Sequence, residues 1–387
     1  MAYFCTMSVY HQVILSLGSN MGDRKDFLQQ AIDLLHQRLG LIAKISSIFE
    51  TPAWGFESDP FYNIALLLHT HHSPEYVLNV CLDIENELGR IRPQEEGYVA
   101  RVIDIDVLFY NDEILKKEHL TLPHPILHQR AFVLIPLEEI APDYKHPELY
   151  KTVRQMVADL NSGDTITKVD QLVNPKSVYD FSTINFLSIE GNIGAGKTTL
   201  TQKISNDFNA KAVLERFADN PFLPKFYEDQ TRYAFPLEMS FLADRYSQLT
   251  DDLSQYNLFT DFVVADYYIF KSLIFAQVTL EADEVRLYRN IFDIMYKDAV
   301  KPNLYIYLYQ NTDRLLQNIV KRGREYEQNI PADYLENINT GYKEFIKSLP
   351  ENEVLVIDIS EKDFVANHQD YLDILDLIFE KLKKGAS

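Results

Sequence analysis

Apolar positions in residues 11–165 follow two periods, one strand-like and one helix-like, in short segments. Strands and helices in this mixed order are typical of an α+β layer fold. We therefore predict an α+β domain over residues 1–165. Its strands are predicted at Val13–Leu17, Phe61–His69 and Arg101–Tyr110, and its helices at Asp26–Leu39 and Pro74–Leu88.

Beyond this region the pattern changes. Residues 162–183 are polar and irregular, with Asn174–Pro175 near their centre, and we expect a linker over 166–183. The following apolar segments alternate with long helical segments, which is typical of a parallel sheet covered on both faces. The sequence thus predicts an α/β domain with a five-stranded parallel sheet over 184–387. The strands are predicted at Ile184–Glu190, Ala210–Glu215, Phe259–Asp266, Asn303–Tyr309 and Glu353–Asp358.

Composition narrows the functional classes. The chain has 387 residues with 37 basic and 57 acidic side chains, a formal net charge of −20. Both halves are acidic, so we expect no nucleic-acid partner, and an anionic substrate needs a local cluster of arginine, lysine or metal. Cys5 and Cys81 are too few for a disulfide framework and fit a reducing cytoplasm. No signal-peptide pattern and no run of about 18 apolar residues is present, so we expect a soluble cytoplasmic protein.

Residues Gly191–Thr198 read GNIGAGKT and fit the pattern G-x-x-x-x-G-K-[ST] between an apolar strand and a helix. Such glycines let backbone N–H groups surround phosphate oxygens, and the helix N-terminus favours anions. Lys197 would reach the β and γ phosphates and Thr198 would ligate Mg²⁺. The alternative is a chance glycine turn. We predict ATP binding by Gly191, Asn192, Ile193, Gly194, Ala195, Gly196, Lys197, Thr198 and Thr199.

Three further features indicate which kind of reaction this phosphate loop serves. Glu215 ends the second predicted strand, where a carboxylate borders the ligand crevice and could accept a hydroxyl proton. Asp266 ends the third strand and suits a position behind the Mg²⁺ ligands. Arg322 and Arg324 could close over a phosphoryl group in transfer. The alternatives are a surface glutamate, a helix-capping aspartate and a solvated basic run.

Together, GNIGAGKT, Glu215 and the segments FYEDQTRYAFPLEMSFLADRYSQL and KRGREYEQNIPADYLE resemble the deoxynucleoside kinase family over residues 184–384. The resemblance implies that ATP phosphorylates a deoxynucleoside, with Glu215 as the base, and that the chains form homodimers through helices of this domain. It also implies nucleoside contacts at Tyr227, Glu238 and Arg245, and lid arginines Arg322 and Arg324 with Glu327 behind them.

One departure from the family concerns the residues after the third strand. Most of the family has an acidic residue, arginine and serine there, whereas this chain has Asp266, Tyr267 and Tyr268. Because the arginine is missing, the resemblance gives less support to a contact between this position and the sugar 5′-hydroxyl. We keep Asp266 among the substrate-binding candidates. The ADYYIFK segment is closer to bacterial deoxyguanosine and deoxyadenosine kinases. Glu238 suits guanine, whose N1–H and N2–H₂ groups are donors, so we predict a purine preference.

In the first domain the strand RVIDIDVLF carries two carboxylates. Side chains alternate across a strand, so Asp104 and Asp106 share one face and Ile103, Ile105 and Val107 share the other. Neighbouring like charges repel, and a pair of divalent cations around a polyphosphate would resolve the repulsion. The alternative is a half-exposed strand with surface aspartates.

Arginines and an aromatic turn flank this strand. Arg90, Arg92 and Arg101 would offset the charge of a triphosphate, and the irregular residues between them could form a mobile flap. Trp54 lies in a turn before a strand that carries Asn63, a combination that suits a flat heterocycle. On these residues alone, a packing tryptophan is an equal alternative.

The segments SLGSNMGD, FETPAWG, FYN, GRIR, RVIDIDVLFY and LTLPHPILHQRAFVLIPLEEIAP resemble 6-hydroxymethyl-7,8-dihydropterin pyrophosphokinase over residues 11–160. The resemblance implies a ferredoxin-like fold and transfer of the ATP diphosphate to the pterin hydroxymethyl group. It implies Mg²⁺ ligands at Asp104 and Asp106 and phosphate contacts at Arg90, Arg92 and Arg101. It implies a pterin pocket of Thr51, Pro52, Trp54, Phe61, Asn63 and Phe132, and ATP contacts at Glu85, His124 and Arg130.

The flap also departs from its family, because relatives commonly read Trp-Gly-Pro-Arg where this chain has Tyr98-Val99-Ala100-Arg101. Since the arginine and both aspartates are present, we expect activity with altered flap closure. We therefore predict a bifunctional enzyme that uses ATP and Mg²⁺ on a pterin and on a purine deoxynucleoside. Two alternatives stay open: the first domain is a binding or dimerising module without catalysis, or the second domain phosphorylates a nucleotide.

Overall fold

The chain divides into two compact units, Met1–Val178 and Tyr179–Ser387, each with its own sheet and hydrophobic core. The structure is a computed structural model that describes residues 10–52, 58–90, 100–160, 165–216, 220–254, 260–297 and 299–385. Within these ranges no helix combines the length and the apolar run that crossing a bilayer requires.

The first unit is an antiparallel sheet with helices on both faces. Its main sheet has the strand order β5-β1-β4-β3-β8, and β2 also pairs with β4. A small hairpin of β6 and β7 follows β5. The elements are β1 (His11–Ser19), α1 (Arg24–Arg38), β2 (Ile42–Ile45), β3 (Ile48–Thr51), β4 (Phe61–Thr70), α2 (Pro74–Glu87), β5 (Asp104–Tyr110), β6 (Leu115–Lys116), β7 (Thr121–Leu122), α3 (Ala131–Ile140), α4 (Val153–Ala158) and β8 (Thr167–Asp170).

Alternation along the central strands divides the core of this unit into two layers. Val13 and Leu15 of β1 pack in the cluster that contains α1 and α2, whereas Ile14 packs with α3 and α4. On β5, Ile105 and Val107 join the first of these clusters. The carboxylates Asp104 and Asp106 therefore belong to the opposite face, as the period of two predicts.

The end of the first unit differs from the expected linker over 166–183. β8 pairs antiparallel with β3, where Lys168 lies opposite Phe49, and a 3-10 helix follows at Pro175–Val178. All four residues of β8, TKVD, are exposed. An edge strand of this kind has no buried face, so its sequence carries no apolar alternation that could have marked it.

The second unit is a parallel sheet between helices. Its strand order is β10-β11-β9-β12-β13, and all of its pairings are parallel. All residues of β9 are buried, including the polar Ser188 and Glu190, so the strand has no exposed face. The elements are β9 (Phe186–Gly191), α5 (Lys197–Asp207), β10 (Lys211–Val213), α6 (Leu223–Glu228), α7 (Gln230–Ser254), β11 (Val263–Ala265), α8 (Lys271–Thr279), α9 (Ala282–Met295), β12 (Leu304–Tyr309), α10 (Thr312–Arg322), α11 (Ala332–Ile346), β13 (Val354–Asp358) and α12 (His368–Gly385).

A close backbone approach fixes the connection from α1 to β2. Gly40 occupies this turn with φ +158°, and a Cβ there would lie 1.9 Å from the carbonyl oxygen of His69 in β4. That oxygen belongs to backbone, so it cannot move aside as a flexible side chain could. Only glycine fits this position without separating β2 from β4.

Gly40→Ala should lower the free energy of unfolding by at least about 2 kcal/mol, because the added methyl group overlaps the backbone of β4. Gly89→Ala is a matched control in the same unit: Gly89 has φ +92° but nothing within 4 Å of the added Cβ. Only backbone strain applies there, with a cost of about 1 kcal/mol. Denaturant unfolding measures both variants, and equal losses would contradict the close approach at Gly40.

Candidate active sites

A cleft of about 270 Å³ opens at the end of β1 and β5 in the first unit, and we call it the first cleft. It brings together most of the side chains that the sequence analysis selected in this half of the chain. Ser16 and Gly18 of β1 form part of its wall. The other lining residues are Thr51, Pro52, Phe61, Asn63, Arg90, Arg101, Asp104, Asp106, His124, Arg130 and Phe132.

Two arginines hold Asp104 from opposite sides. Arg90 Nη1 donates to Asp104 Oδ1 and Arg101 Nη1 donates to Asp104 Oδ2, each at 2.5 Å. The side chains of these two arginines are each 16% exposed. Because both oxygens of Asp104 are engaged, this carboxylate is fixed in place and its charge is balanced.

Asp106 has much weaker compensation. Among the described residues its nearest cation is Arg130, whose Nη1 lies 3.9 Å from Asp106 Oδ2. Burial and then the charge of Asp104 raise the pKa of Asp106 to about 7. Burial and the charge of the Arg130 guanidinium lower the pKa of His124, which lines the same cleft, to about 4. The negative charge of Asp106 is therefore only weakly compensated by the side chains of the cleft.

The amide of Asn63 faces the same cleft. Its Nδ2 donates to Thr51 Oγ1 at 2.8 Å, which orients the amide, and both residues are buried. A Cβ on Gly18 would lie 2.8 Å from Asn63 Oδ1. The absence of a side chain at Gly18 therefore makes room for this amide, and the sequence analysis did not identify that requirement.

Two buried side chains support the first cleft from behind. Glu85 accepts hydrogen bonds from Arg90 and from the backbone N–H of Ile105, at 2.8 Å for the latter. It is 1% exposed and lies beneath the lining residues. Asn20, which the sequence analysis did not select, accepts from the backbone N–H of Arg101 at 2.8 Å and donates to Ser58 Oγ at 2.9 Å. It thereby ties β1 to the segments on both sides of the cleft.

Several selected positions cannot be compared with the structure. Trp54, Arg92 and the flap residues up to Val99 lie outside the described residues. Ala100, the last residue of the altered flap segment, is described and exposed.

A second cleft lies in the second unit, at the carboxyl ends of β9, β10 and β11. Parallel strands end at a common edge, so the residues that follow these three strands converge there. Most of the side chains selected in this half of the chain line it. The lining residues are Ile193, Gly194, Lys197, Thr198, Glu215, Leu223, Phe226, Tyr227, Leu237, Glu238, Phe241, Arg245, Asp266, Lys271, Phe275, Arg322, Arg324, Glu327 and Tyr334.

Asp266 connects the phosphate loop with Glu215. Its Oδ2 accepts from Thr198 Oγ1 at 2.5 Å, and its Oδ1 accepts from the backbone N–H of Glu215 at 2.7 Å. Asp266 is 3% exposed. Burial and the nearby Glu215 raise its pKa above the ordinary value. Asp266 thus fixes the relative positions of the loop and the end of β10.

Glu215 is held between two cations. Arg245 donates to Oε1 from Nε at 2.9 Å and from Nη2 at 2.6 Å. Lys271 Nζ donates to Oε2 at 2.5 Å. Burial alone would raise the pKa of Glu215, but Lys271 and Arg245 outweigh it and hold the pKa well below its usual range. Glu215 is therefore ionised, and Lys271 is a cation that the sequence analysis missed.

Glu238 is the least satisfied carboxylate of the second cleft. It is 2% exposed, and Thr279 Oγ1 donates to its Oε1 at 3.3 Å. Its Oε2 has no hydrogen-bond partner among the described residues. Burial, partly opposed by Arg245, raises the pKa of Glu238 to about 7. This oxygen is available to a ligand that carries hydrogen-bond donors.

The lid side chains form a small charged cluster. Glu327 accepts hydrogen bonds from Arg322 and from Arg324, the latter at 3.1 Å. The ring of Tyr227 stacks on that of Tyr326 with centroids 6.1 Å apart. The cluster thus joins the loop after α10 to the end of α6, next to Glu238 and the phosphate loop.

The phosphate loop rests on buried polar groups. Lys197 Nζ donates to the carbonyl oxygen of Asn192 at 2.8 Å, and the Asn192 amide donates to the carbonyl oxygen of Leu335 at 2.7 Å. Behind the loop, Glu190 accepts from the backbone N–H of Tyr268 at 2.6 Å and from the hydroxyl of Tyr342 at 2.8 Å. Gly194 and Gly196 have φ of +84° and +81°, which turns the loop backbone as phosphate binding requires.

Comparison with protein families divides the chain in the same way. The family model of deoxynucleoside kinases matches residues 187–383. The family model of 7,8-dihydro-6-hydroxymethylpterin-pyrophosphokinase matches residues 14–142.

Individual relatives match each half over most of their own length. The deoxyguanosine kinase of Bacillus subtilis is 41% identical over 194 residues, which are 49% of this chain and 94% of that protein. The 2-amino-4-hydroxy-6-hydroxymethyldihydropteridine pyrophosphokinase of Porphyromonas gingivalis is 42% identical over 139 residues, which are 35% of this chain and 94% of that protein. The Bacillus subtilis protein of the same name is 44% identical over 128 residues, 33% of this chain and 75% of that protein.

Glu238→Gln should stabilise the chain at neutral and alkaline pH. Because the folded-state pKa of Glu238 is raised from 4.5 to about 7, ionisation of this group opposes folding increasingly as the pH rises from 4.5 to 7. The variant should therefore gain up to about 3 kcal/mol of unfolding free energy near pH 8 and almost nothing near pH 4. Urea unfolding at both pH values measures the gain.

Glu228→Gln is the control for this prediction, because Glu228 is exposed on α6 in the same unit. It should show no such gain. An equal effect of Glu238→Gln at the two pH values would contradict the assignment of Glu238 as a buried, uncompensated carboxylate.

Proposed function

We propose a function from one premise: the chain belongs to the 6-hydroxymethyl-7,8-dihydropterin pyrophosphokinase family in its first unit and to the deoxynucleoside kinase family in its second. It is one bifunctional enzyme, with a separate ATP-dependent reaction in each cleft. The first reaction transfers the β,γ-diphosphate of ATP to the hydroxymethyl oxygen of the pterin and releases AMP. The second transfers the γ-phosphoryl group to a purine deoxynucleoside and releases ADP. Both reactions are assigned to the cytoplasm.

The first reaction is carried by one observation: two aspartates and three arginines converge on a cleft that also contains an oriented amide. The nucleophile is the hydroxymethyl oxygen, and the bond that breaks joins the α and β phosphates. Arg90 and Arg101 are fixed by Asp104, so they are positioned in advance to offset charge on the diphosphate. Arg92 is assigned the same task from the sequence alone. Arg130 and His124 are assigned to ATP, and Glu85 to the support of Arg90.

Mg²⁺ fits the first cleft for a reason independent of family. The raised pKa of Asp106 marks a carboxylate whose charge lacks a cation, and a divalent ion shared with Asp104 would supply it. Among the described residues no group of three or more acidic, histidine or cysteine side chains could hold a metal. Mg²⁺ usually takes one or two carboxylates and completes its shell with phosphate oxygens and water, so two aspartates suffice. There it would neutralise charge on the triphosphate. In the second cleft the Thr198 hydroxyl is the proposed ligand, with Asp266 behind it.

The pterin is assigned to the other side of the first cleft. The Asn63 amide and the Thr51 hydroxyl present a donor and acceptors in fixed orientation, which suits the edge of a flat heterocycle. Phe61 and Phe132 supply apolar ring surface, and Pro52 lines the opening. Trp54 is assigned to the same pocket from the sequence.

The second reaction depends on Glu215. Its carboxylate is ionised and lies beside the phosphate loop, so it can take the proton of the substrate hydroxyl as that oxygen attacks the γ-phosphorus. Arg322 and Arg324 stabilise charge on the transferring group, with Glu327 as their anchor. The nucleoside is assigned to Tyr227, Glu238, Arg245 and Asp266.

The purine preference is carried by Glu238. Its free, buried oxygen accepts hydrogen bonds when it is ionised, and guanine presents two donors, N1–H and N2–H₂. When Glu238 is protonated, its hydroxyl can donate to N1 of adenine while the carbonyl oxygen accepts from N6. Burial of an unpaired carboxylate is costly, so a base that satisfies it gains selectivity over one that does not.

Two architectural assignments accompany this function. The strand order β5-β1-β4-β3 with α1 and α2 on one face supports a ferredoxin-like fold for the pyrophosphokinase domain, and the two catalytic domains are assigned to residues 1–165 and 184–387.

A homodimer through the kinase domain is supported by α9, where Leu287 and Ile294 are 52% and 79% exposed. They lie seven residues apart and therefore share one helix face, with the exposed Tyr246 on the neighbouring α7.

Reciprocal variants test the assignment of one reaction to each cleft. Asp104→Asn should lower pterin-dependent AMP formation by at least about 100-fold and leave deoxynucleoside-dependent ADP formation unchanged, since it removes the charge that positions Arg90 and Arg101. Glu215→Gln should do the reverse, with a loss of at least about 100-fold in ADP formation, because the base is gone. Product chromatography measures both nucleotides, the retained activity shows that the loss is confined to one cleft, and urea unfolding of each variant is the folding control. Loss of both activities in either variant would contradict the assignment.

A further inference from the structure

Lys271 is a buried lysine that neither the sequence analysis nor the family assignment gives a role. It begins α8, is 6% exposed, and lines the second cleft together with Lys197 of the phosphate loop. A lysine ammonium is rarely buried unless a specific partner holds it. Here the partner is Glu215, the proposed base.

The hydrogen bonds of Glu215 show which of its oxygens can react. A carboxylate oxygen has two lone-pair sites. Both sites of Oε1 are occupied by Arg245, through Nε and Nη2. Among the residues that the structure describes, Oε2 accepts one hydrogen bond, from Lys271 at 2.5 Å, and it keeps one site open. The hydroxyl proton must therefore go to Oε2, which is the oxygen that Lys271 contacts.

The charge of Lys271 also reaches the phosphate loop. Lys271 and Lys197 line the same cleft, so both ammonium groups border the space that a ligand would occupy. The two ammonium groups thus repel each other across the cleft, and an anion between them would relieve that repulsion. Because Lys197 approaches the β and γ phosphates in a loop of this type, the anion that fits between the two lysines is the γ-phosphoryl group.

The residue after Asp266 supplies no charge that could take this role. Where most of the family carries an arginine, Tyr267 is fully buried, and its hydroxyl has no hydrogen-bond partner among the described residues. Lys271 lies four residues further on, in the first turn of α8, and it points back to Glu215.

We propose that Lys271 is a catalytic residue of the kinase reaction, whose ammonium contacts the γ-phosphoryl group in transfer while Glu215 Oε2 takes the hydroxyl proton. The inference rests on the proposed kinase function. In the step, the nucleoside hydroxyl oxygen forms a bond to the γ-phosphorus, and the bond between that phosphorus and the bridging oxygen of the β-phosphate breaks. ADP leaves with the electron pair of that bond. Lys271 keeps its protons throughout and offsets the negative charge on the equatorial oxygens, together with Lys197 and the lid arginines.

Steady-state kinetics of full-length Lys271 variants test this role. With ATP and deoxyguanosine, Lys271→Met should lower kcat by at least about 100-fold and change the KM for the nucleoside by less than about fivefold, because the lost contact exists mainly in the transition state. Lys271→Arg, which keeps the charge, should retain kcat within about tenfold. Methylammonium added to Lys271→Ala should restore kcat at least about tenfold with saturation, since it replaces the missing cation.

A buried lysine of the same unit provides the matched control. Lys203 on α5 is 4% exposed and lies over the ring of Tyr371, away from the cleft. Lys203→Met removes a buried ammonium group that lies outside the cleft. It should therefore keep kcat within about threefold of the parent value. Urea unfolding of each variant, followed by far-ultraviolet circular dichroism, reports whether the second unit is folded.

The ratio of kcat with ATP to kcat with ATPγS separates a phosphoryl contact from a structural role. Sulfur replaces one of the oxygens that Lys271 is proposed to contact, so Lys271→Arg should change this ratio by at least about fivefold relative to the parent chain. This readout needs only a variant that keeps the ion pair with Glu215, and it therefore applies even if Lys271→Met and Lys271→Ala do not fold.

Two results would overturn the proposal: a kcat of Lys271→Met within about threefold of the parent value, or an unchanged ATP to ATPγS ratio in Lys271→Arg together with no methylammonium rescue. A parent chain that makes no ADP with any deoxynucleoside would instead refute the kinase function on which the proposal rests.

Discussion

Partly buried carboxylates held by cations are the interaction on which both clefts depend. In the first unit Asp104 lies between Arg90 and Arg101, and in the second Glu215 lies between Arg245 and Lys271. Each pair of cations comes from separate segments of the chain. Both carboxylates are partly buried, so each would be poorly compensated without its cations, and folding of each unit brings these partners together. In the proposed reactions Arg90, Arg101 and Lys271 also meet phosphate, whereas Arg245 is assigned to the nucleoside.

Each cleft also keeps one carboxylate that the protein does not satisfy. Asp106 and Glu238 have pKa values raised to about 7, in each case chiefly by burial. In the first cleft a divalent cation would supply the missing charge, and in the second the donors of a purine would supply the missing hydrogen bonds. Groups with strongly raised pKa values concentrate at functional sites because a ligand, rather than the fold, completes their environment.

The sequence predicted the parts of this structure that depend on local periodicity. Alternation assigned Asp104 and Asp106 to one face of β5, and the strand ends assigned Glu215 and Asp266 to the edge where the phosphate loop begins. It could not identify Lys271, which stands at the head of the apolar stretch KSLIFAQV and whose partner is 56 residues away along the chain. The one local sign of Lys271 in the sequence is a charged residue at the start of an otherwise largely apolar stretch. β8 escaped detection because all of its residues are exposed, and Gly18 because its requirement is the space for Asn63.

The central claim is that one chain carries two reactions that break different bonds of ATP. Chromatography of the nucleotide products tests it most directly, with ATP, Mg²⁺ and either hydroxymethyl-dihydropterin or one of the four deoxynucleosides. The account predicts AMP with the pterin alone, and ADP with deoxyguanosine or deoxyadenosine but not with thymidine. ADP formation without any pterin-dependent AMP, or equal turnover of thymidine and deoxyguanosine, would contradict it.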